Sequence, residues 1–319
     1  MMRFRARVLT AVAAAALAGC GSSNLAGGVS PAILSSERTA PSFTPLLYAA
    51  GPNTNEVDAY PAFVQNPNPV NRITAGVLAP TGMAIDAAGN LYVADNAGQG
   101  VKGHVFWTVT VYARGGSSVI RSYKDGVQTP TDVAVAPDGT VYVANLVSAV
   151  TVYAPGSLHP SRTLQAPAGD SPVAVAADAN GNAYVSYVNQ TSGAVYEYAP
   201  GATRGKNLGI PFSGNPHGLA LDRNGDLIVA VSNAPNPGSS VEVFAPGSTK
   251  PKLTLTGPFQ PFMVALSRKE GRLFVADYGS GNNDGGVYVY SYPAGTLLYK
   301  DTSGAAAGAY GVAIDPRDR

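Results

Sequence analysis

The chain has 319 residues, of which 37 are glycine and 25 are proline, and charged residues make up only 13% of it. So much glycine and proline excludes a helical bundle or a coiled coil, because both need uninterrupted runs of helix-forming residues. The formal net charge of +1 excludes bulk electrostatic attraction to nucleic acid. A hydrophobic share of 45% can bury a sizeable core, so the composition favours a folded protein of short strands and many turns.

The N-terminus has the pattern of a secretory signal peptide. Three arginines within the first seven residues precede an apolar run over residues 8–18, which is too short to be a stable membrane span. Leu17-Ala18-Gly19 then leads to Cys20, the single cysteine, so an intramolecular disulfide is excluded. This string resembles the bacterial lipobox, which implies that residues 1–19 are removed and that the Cys20 thiol carries a diacylglycerol. The alternative is a buried free cysteine beside an ordinary cleavage site.

Residues 20–45 are rich in Gly, Ser, Ala and Pro, and this composition predicts a flexible tether between Cys20 and a folded part over residues 46–319. Gly21 and Ser22 follow the cysteine without an aspartate. By resemblance to the enterobacterial sorting rule, this implies the outer membrane if the host has two membranes. We therefore expect a protein of the bacterial cell envelope that is held to a membrane by its N-terminal lipid.

Beyond the tether the chain repeats one sequence unit. Each of five copies begins with a proline, and successive starting prolines lie 50, 42, 44 and 45 residues apart, which is the length of a β-propeller blade. The five are Pro80, Pro130, Pro172, Pro216 and Pro261.

Every unit contains four short apolar runs, which predict a four-stranded antiparallel blade. In the second unit, residues 133–135 and 141–143 are apolar runs joined by an Asp-Gly turn, which is a hairpin signal. A third run ends at Ala-Pro-Gly, which suits a type II turn, and a short fourth run comes after it. We assign the repeated Asp-x-x-Gly turns to hairpin formation instead of calcium binding, because they recur from blade to blade. Their aspartates are Asp86, Asp178 and Asp222.

The two ends of the chain predict a closed ring of six blades. Residues 46–50, 56–60 and 70–74 look like the second to fourth strands of a blade that lacks its innermost strand, and residues 309–316 match the start of a repeat. We expect the C-terminal strand to complete the N-terminal blade, which removes an exposed sheet edge. The predicted fold is an all-β, six-bladed propeller of four-stranded antiparallel blades.

The repeat also resembles a known family of propellers. Pro-Thr-Gly at 80–82, Asp-Ala-Ala-Gly-Asn at 86–90 and Leu-Tyr-Val-Ala-Asp at 91–95 are similar to the pattern of the NHL-repeat propellers. The resemblance covers about residues 46–319. It implies a circularly closed six-bladed ring and leaves the activity open.

Two sets of loops are expected to share one face of the ring around the axial channel: those that enter the innermost strands and those that leave the second strands. Side chains there could bind a polar ligand or a divalent cation; alternatively, the Asp and Asn side chains bond backbone amides of their own turns. His104 and Trp107 belong to the longest loop of this face, where Trp107 either binds a ligand or packs its loop. The entrance positions are Thr81, Thr131, Val173, His217, Phe262 and Tyr310, and the positions after the second strands are Asp95, Asn96, Asn145, Asn189, Asn233, Asp277 and Tyr278.

We expect this face to bind a protein, a peptide or a carbohydrate, because aromatic rings beside amides suit such ligands. The expected protein is a monomer without a cofactor and without a nucleic-acid partner. The alternative is a metal-assisted lyase or lactonase. His217 occupies a place comparable to that of the axial histidine in the virginiamycin B lyase group, and Asp95 and Asp277 would then complete an axial Ca²⁺ or Mg²⁺ site. The axial Glu of the gluconolactonase–regucalcin group and the several axial His of the amidating lyases have no counterparts at the predicted ring positions.

Overall fold

The computed structural model describes residues 44–97, 106–190, 192–282 and 284–315. The predicted signal peptide, Cys20 and the tether up to residue 43 lie outside the described residues, as does His104. Within the described part of the chain, no helix is long and apolar enough to cross a membrane.

Twenty-four strands and one turn of 3₁₀ helix make up the described regular structure. The chain enters the fold with β1 (Leu46–Ala50), β2 (Val57–Pro61) and β3 (Asn71–Ile73). Five sets of four strands come next. The first two sets are β4 (Pro80–Ile85), β5 (Leu91–Ala97), β6 (Phe106–Tyr112) and β7 (Val119–Tyr123), then β8 (Pro130–Val135), β9 (Val141–Asn145), β10 (Val150–Tyr153) and β11 (Pro160–Leu164). The next two are β12 (Ser171–Ala177), β13 (Ala183–Val188), β14 (Gly193–Tyr198) and β15 (Lys206–Asn207), then β16 (Asn215–Leu221), β17 (Leu227–Ser232), β18 (Ser240–Phe244) and β19 (Leu253–Leu255). The last strands are β20 (Pro261–Leu266), β21 (Arg272–Asp277), β22 (Gly286–Ser291) and β23 (Leu297–Asp301), followed by the 3₁₀ turn (Gly304–Ala306) and β24 (Gly311–Ile314).

The sheet order confirms the predicted six-bladed propeller. Every set of four consecutive strands forms one antiparallel sheet, and the sixth sheet has the order β24-β1-β2-β3. In that sheet Leu47 lies opposite Ile314 and Ala50 lies opposite Gly311. The C-terminal strand therefore completes the N-terminal blade and closes the ring, as predicted.

The hairpins between first and second strands are held by the aspartates of the Asp-x-x-Gly turns. Asp86 accepts a hydrogen bond from the N–H of Asn90 at 2.8 Å, and Gly89 has a φ of 89°, which suits glycine because a β-carbon disfavours it. Asp178 and Asp222 accept the corresponding N–H groups of Asn182 and Asp226, both at 2.8 Å. These aspartates therefore form hairpins, as predicted.

A tyrosine near the end of the third strand ties most blades to the loop that leads into them. Its hydroxyl donates to a backbone carbonyl of that loop, for example from Tyr153 to Asp125 at 2.5 Å and from Tyr198 to Gln165 at 2.8 Å. Tyr60, Tyr112 and Tyr290 make the equivalent bonds. These rings are buried between neighbouring blades, so each one adds apolar packing and a polar tie at the same place.

The six inner strands, β4, β8, β12, β16, β20 and β24, surround the axis. Each pairs with a second strand on one side only, so the backbone N–H and C=O groups of its other edge face the axis. Glycines let neighbouring inner strands approach closely. A β-carbon on Gly218 would lie 2.5 Å from the carbonyl oxygen of Phe262, and one on Gly311 would overlap the carbonyl oxygen of Thr81.

Candidate functional site

Three of the predicted polar positions hold the loop that enters their own blade. The Oδ1 atoms of Asp95, Asn145 and Asp277 accept the backbone N–H groups of Leu78, Gln128 and Gln260 at 3.1, 2.8 and 2.6 Å. All three side chains are buried. We call Asp95, Asn145 and Asp277 the loop-anchoring residues.

Burial changes the acidity of the two acidic loop-anchoring residues. It raises the pKa of Asp95 to about 7, although hydrogen bonds from Thr110, Leu78 and Thr108 oppose the shift. Thr110 donates to Oδ2 of Asp95 at 2.6 Å. Burial also raises the pKa of Asp277. Both acidic side chains are therefore harder to ionise than an exposed aspartate, and both hold their loops through hydrogen bonds.

The other polar positions of the predicted face bond within their own loop, to the loop that enters their blade, or to the next blade. Asn189 donates to Asp170 at 2.7 Å, and Asn233 donates to the carbonyl of Pro237 at 2.7 Å. The hydroxyl of Thr81 bridges the carbonyls of Ala94 and Pro130, at 3.1 Å each. Thr131 makes the same kind of bridge to Ala144 and Pro172, while Val173 is buried and Asn96 is partly exposed. The prediction that Trp107 belongs to a loop is wrong, because it lies on strand β6 opposite Asn96 and packs against a buried cluster that includes Val109 and Val133.

Four rings meet at the entrance on the other half of the propeller. His217 and Phe262 contact edge to face with centroids 4.7 Å apart, and Phe262 stacks on Tyr310 at 3.7 Å. Tyr278 meets Tyr310 edge to face at 5.2 Å. We call these four residues the entrance aromatic cluster. Its members come from β16, β20, the loop after β21 and the loop before β24, so one half of the entrance is aromatic, whereas the other half carries Thr81, Thr131 and Val173.

Three rings of the entrance aromatic cluster are partly exposed, and Phe262 is buried. Tyr278 and Tyr310 are partly exposed, and Asn53 donates its side-chain amide to the Tyr278 hydroxyl at 3.1 Å. Burial raises the pKa of Tyr310 to about 12. His217 is also partly exposed, but burial of its imidazole lowers its pKa to about 4, so the ring is neutral at neutral pH. Its Nδ1 atom is buried and has no hydrogen-bond partner among the described residues.

The residues of the alternative metal site do not come together. No group of three or more His, Cys, Asp or Glu side chains that could hold a metal ion occurs in the part of the chain that the structure describes. Asp95 and Asp277 instead accept backbone N–H groups of their loops. Asp95, Asp277 and His217 are therefore not one ligand set for an axial Ca²⁺ or Mg²⁺.

The axial cavity lies beyond the predicted ligand face. It has a volume of about 390 Å³, and all six inner strands line it. The lining comes from the halves of these strands next to the hairpins, and none of the predicted face residues contributes to it. The one charged residue of the lining is Asp132, which is 6% exposed. Its Oδ2 atom accepts the N–H of Val175 at 3.0 Å, and burial raises its pKa to about 7.

Asp132 is a site residue that the sequence motifs do not indicate. The sequence nevertheless marks this position. The second residue after the starting proline is Asp132 in the copy that begins at Pro130, whereas the other copies have Gly82, Ala174, Gly218 or Met263 there. An acidic residue within an apolar run of a strand is unusual, since buried charges need partners. Comparing the copies position by position finds it.

Comparisons with known proteins show the fold and no family. No family model matches the chain, and no curated protein matches it. Among solved structures, a chain of a nidogen/laminin complex superposes with a TM-score of 0.67 at 19% identity, covering 86% of this chain and 98% of that one. A protein of unknown function from Bacteroides caccae has a TM-score of 0.61 at 15% identity, covering 86% and 99%. Hydrazine synthase of Kuenenia stuttgartiensis has a TM-score of 0.59 at 16% identity, covering 82% and 84%.

Proposed function

We propose that this protein is a membrane-anchored, extracytoplasmic lipoprotein with an NHL-like propeller that binds a protein, peptide or carbohydrate ligand through its entrance face. The observation that carries the binding role is the entrance aromatic cluster, because it breaks the repeat on one half of the ring only. A residue that recurs in every copy is explained by the folding of the blade. A departure from the repeat that is confined to neighbouring blades is not explained in that way, and a ligand site would explain it.

The chemistry of the entrance face suits such ligands. Flat aromatic surfaces take up the apolar faces of sugars or the side chains of peptides, and the amide of Asn53 beside Tyr278 supplies polar contacts. Three large apolar side chains on loops of the same face are exposed as well. They are Leu78, Val147 and Phe259, which are 38%, 66% and 38% exposed.

The fold by itself does not choose between binding and catalysis. One similar chain comes from a nidogen/laminin complex and another from hydrazine synthase. The choice of a binding role therefore rests on this chain's own residues, whose acidic side chains at the predicted face hold loops.

A binding experiment on defined ligand collections tests the proposal. The full-length chain and the variants Tyr278→Ala and Tyr310→Ala are applied to peptide and oligosaccharide arrays, with Leu297→Ala on the outermost strand β23 as the control. Removing a central aromatic anchor costs about 2 kcal/mol or more, so positive signals should weaken by at least about tenfold in the tyrosine variants and stay unchanged in the control. A ligand whose binding ignores both tyrosines would refute the entrance face as the binding site.

The anchor is tested through Cys20. Its support comes from the sequence, in which Leu17-Ala18-Gly19 precedes the single cysteine. In cells labelled with palmitate, the wild-type chain should carry label and sediment with membranes, whereas Cys20→Ala should carry none and be released. If Cys20→Ala stayed membrane-bound and fully processed, the lipid anchor would be the wrong explanation of this motif.

A further inference from the structure

The axial cavity is separate from the entrance face, so a ligand site in it does not depend on the proposed function. Its volume of about 390 Å³ falls in the lower part of the range of roughly 300–1,000 Å³ that small-molecule sites have. Most lining side chains are aliphatic or methionine, for example Met83, Leu219, Met263 and Val312. The backbone groups on the free edges of the inner strands nevertheless make the exposed surface of the cavity mainly polar, which suits a compact ligand that carries hydrogen-bond donors.

The position of Asp132 in this cavity is built into two neighbouring strands. Gly82 on β4 lies beside the carboxylate, and a β-carbon there would overlap Oδ1 of Asp132. The N–H of Val175 on β12 binds Oδ2 at 3.0 Å, and the backbone N–H of Val133 also faces the carboxylate. Gly82 leaves room for the carboxylate on one side, and the N–H of Val175 binds it on the other. Together they fix the position of Asp132 at the axis.

Three other buried carboxylates of the propeller have cationic partners, whereas Asp95 and Asp277 accept hydrogen bonds from hydroxyl or backbone N–H groups. Asp58 pairs with Arg72 at 2.8 Å, Asp315 pairs with Arg114 at 2.5 Å, and Asp226 pairs with Lys252. Asp132 has only the two backbone amides as donors among the described residues.

A buried carboxylate without a counter-charge is costly to ionise, which is why burial raises the pKa of Asp132. No other titratable residue lines the described cavity, so a bound cation would supply the missing charge.

The cavity also offers acceptors beyond Asp132. An alkylammonium group has three N–H donors. The carboxylate accepts one or two of them, and the backbone carbonyls on the unpaired edges of the inner strands face the same space. We propose that the axial cavity binds a small organic cation, a primary amine, whose ammonium group pairs with Asp132.

Calorimetric titration of the full-length chain tests this site with primary amines of different shape: benzylamine, cyclohexylamine and isopentylamine. Benzyl alcohol is the neutral counterpart of benzylamine. Because hydrogen bonds to charged groups contribute about 1.5–3 kcal/mol, the alcohol should bind at least about tenfold more weakly than the amine. Asp132→Asn should raise the Kd of benzylamine by a similar factor. Asp125→Asn, which changes an exposed carboxylate of the loop before the same blade, should leave it unchanged.

If Asp132→Asn does not fold, the wild-type protein still tests the proposal, because comparing its affinities for benzylamine and benzyl alcohol needs no variant. Failure of all three amines to bind, or equal affinity for benzylamine and benzyl alcohol, would overturn the proposal. Asp132-dependent binding of K⁺ or Ca²⁺ without binding of any amine would also overturn it, because the site would then take an inorganic ion.

Discussion

Asp95 and Asn145 occupy equivalent positions in neighbouring blades and hold the same kind of loop with different chemistry. Both offer an Oδ1 acceptor to the entering loop. The second polar atom differs: Oδ2 of Asp95 accepts the hydroxyl of Thr110 at 2.6 Å, whereas Nδ2 of Asn145 donates to the hydroxyl of Thr151 at 2.9 Å. A threonine hydroxyl can donate or accept, so it matches either partner. The position therefore requires an acceptor for the loop and does not require a charge.

This equivalence predicts different outcomes for two substitutions of Asp95. Asp95→Ala leaves the N–H of Leu78 and the hydroxyl of Thr110 without their acceptor, so the free energy of unfolding should fall by about 1–3 kcal/mol. At pH 4, where the buried carboxyl of the wild type is itself neutral, Asp95→Asn reproduces the arrangement of Asn145 and should change it by less than about 1 kcal/mol. Urea denaturation of the two variants and the wild type measures both values. Equal losses in the two variants would contradict the assigned role.

The raised pKa of Asp95 also predicts how stability depends on pH. Burial raises this pKa from 3.8 to about 7, so between pH 4 and pH 7 the folded protein binds more protons than the unfolded chain. Stability from this group is therefore present at low pH and is lost as the pH rises through 7. Asp95→Asn has no such proton to lose, so its unfolding free energy relative to the wild type should increase from pH 4 to pH 8.

Asp125→Asn, which alters an exposed carboxylate, is the control for that pH series. A difference between Asp95→Asn and the wild type that stays constant over this range would show that the carboxyl group of Asp95 does not resist ionisation.

At the scale of strands and loops, the repeat predicts where the strands lie in the sequence better than it predicts which groups their side chains contact. The prediction of a strand over residues 56–60 is one residue from β2 (Val57–Pro61), because the alternating apolar residues of the run mark the strand. The partner of a side chain lies elsewhere in the chain. The hydroxyl of Tyr153, for example, donates to a carbonyl 28 residues away. The axial cavity depends on packing among six strands, so its residues are not evident from any one copy, although Asp132 stands out when the copies are compared.

Close approach of inner strands predicts the effect of an alanine at Gly311. The added β-carbon would overlap the carbonyl oxygen of Thr81, so β24 and β4 would have to move apart where the ring closes. Forced overpacking of this kind costs about 1–3 kcal/mol. Gly271→Ala is the matched control, because a β-carbon there meets nothing within 4 Å and its φ is not positive. Thermal unfolding should show a lower Tm for Gly311→Ala and an unchanged or higher one for Gly271→Ala; equal Tm values would contradict the tight closure.

At the scale of the whole molecule, six copies of one blade make a ring whose two halves differ at the entrance. The residue after the starting proline is small on β4, β8 and β12, where Thr81 and Thr131 bond to the next blade. On β16, β20 and just before β24 the same position carries the rings of His217, Phe262 and Tyr310. The repeated residues therefore account for the fold, and the departures from the repeat account for the candidate sites.

The ring itself depends on the contact between β1 and β24. Without β24, the backbone groups of β1 that pair with it would be exposed, along with Leu47 and Ala49, which are buried in the closed ring. The ion pair between Arg114 and Asp315, which links neighbouring blades at 2.5 Å, would also be lost. An open, apolar strand edge promotes aggregation.

Deletion of residues 309–319 should therefore abolish cooperative unfolding and give soluble aggregates, as measured by chemical denaturation and size-exclusion chromatography. A permuted chain in which residues 309–315 precede residue 46 through an Asn-Gly turn is the control, because β24 would then form a hairpin with β1 in the register that pairs Leu47 with Ile314. This chain should unfold in a single transition like the wild type. If the deleted chain were monomeric and cooperative, pairing of the two ends would not be what holds the ring closed. If both altered chains failed, continuity of the chain between β23 and β24 would matter more than the pairing of β24 with β1.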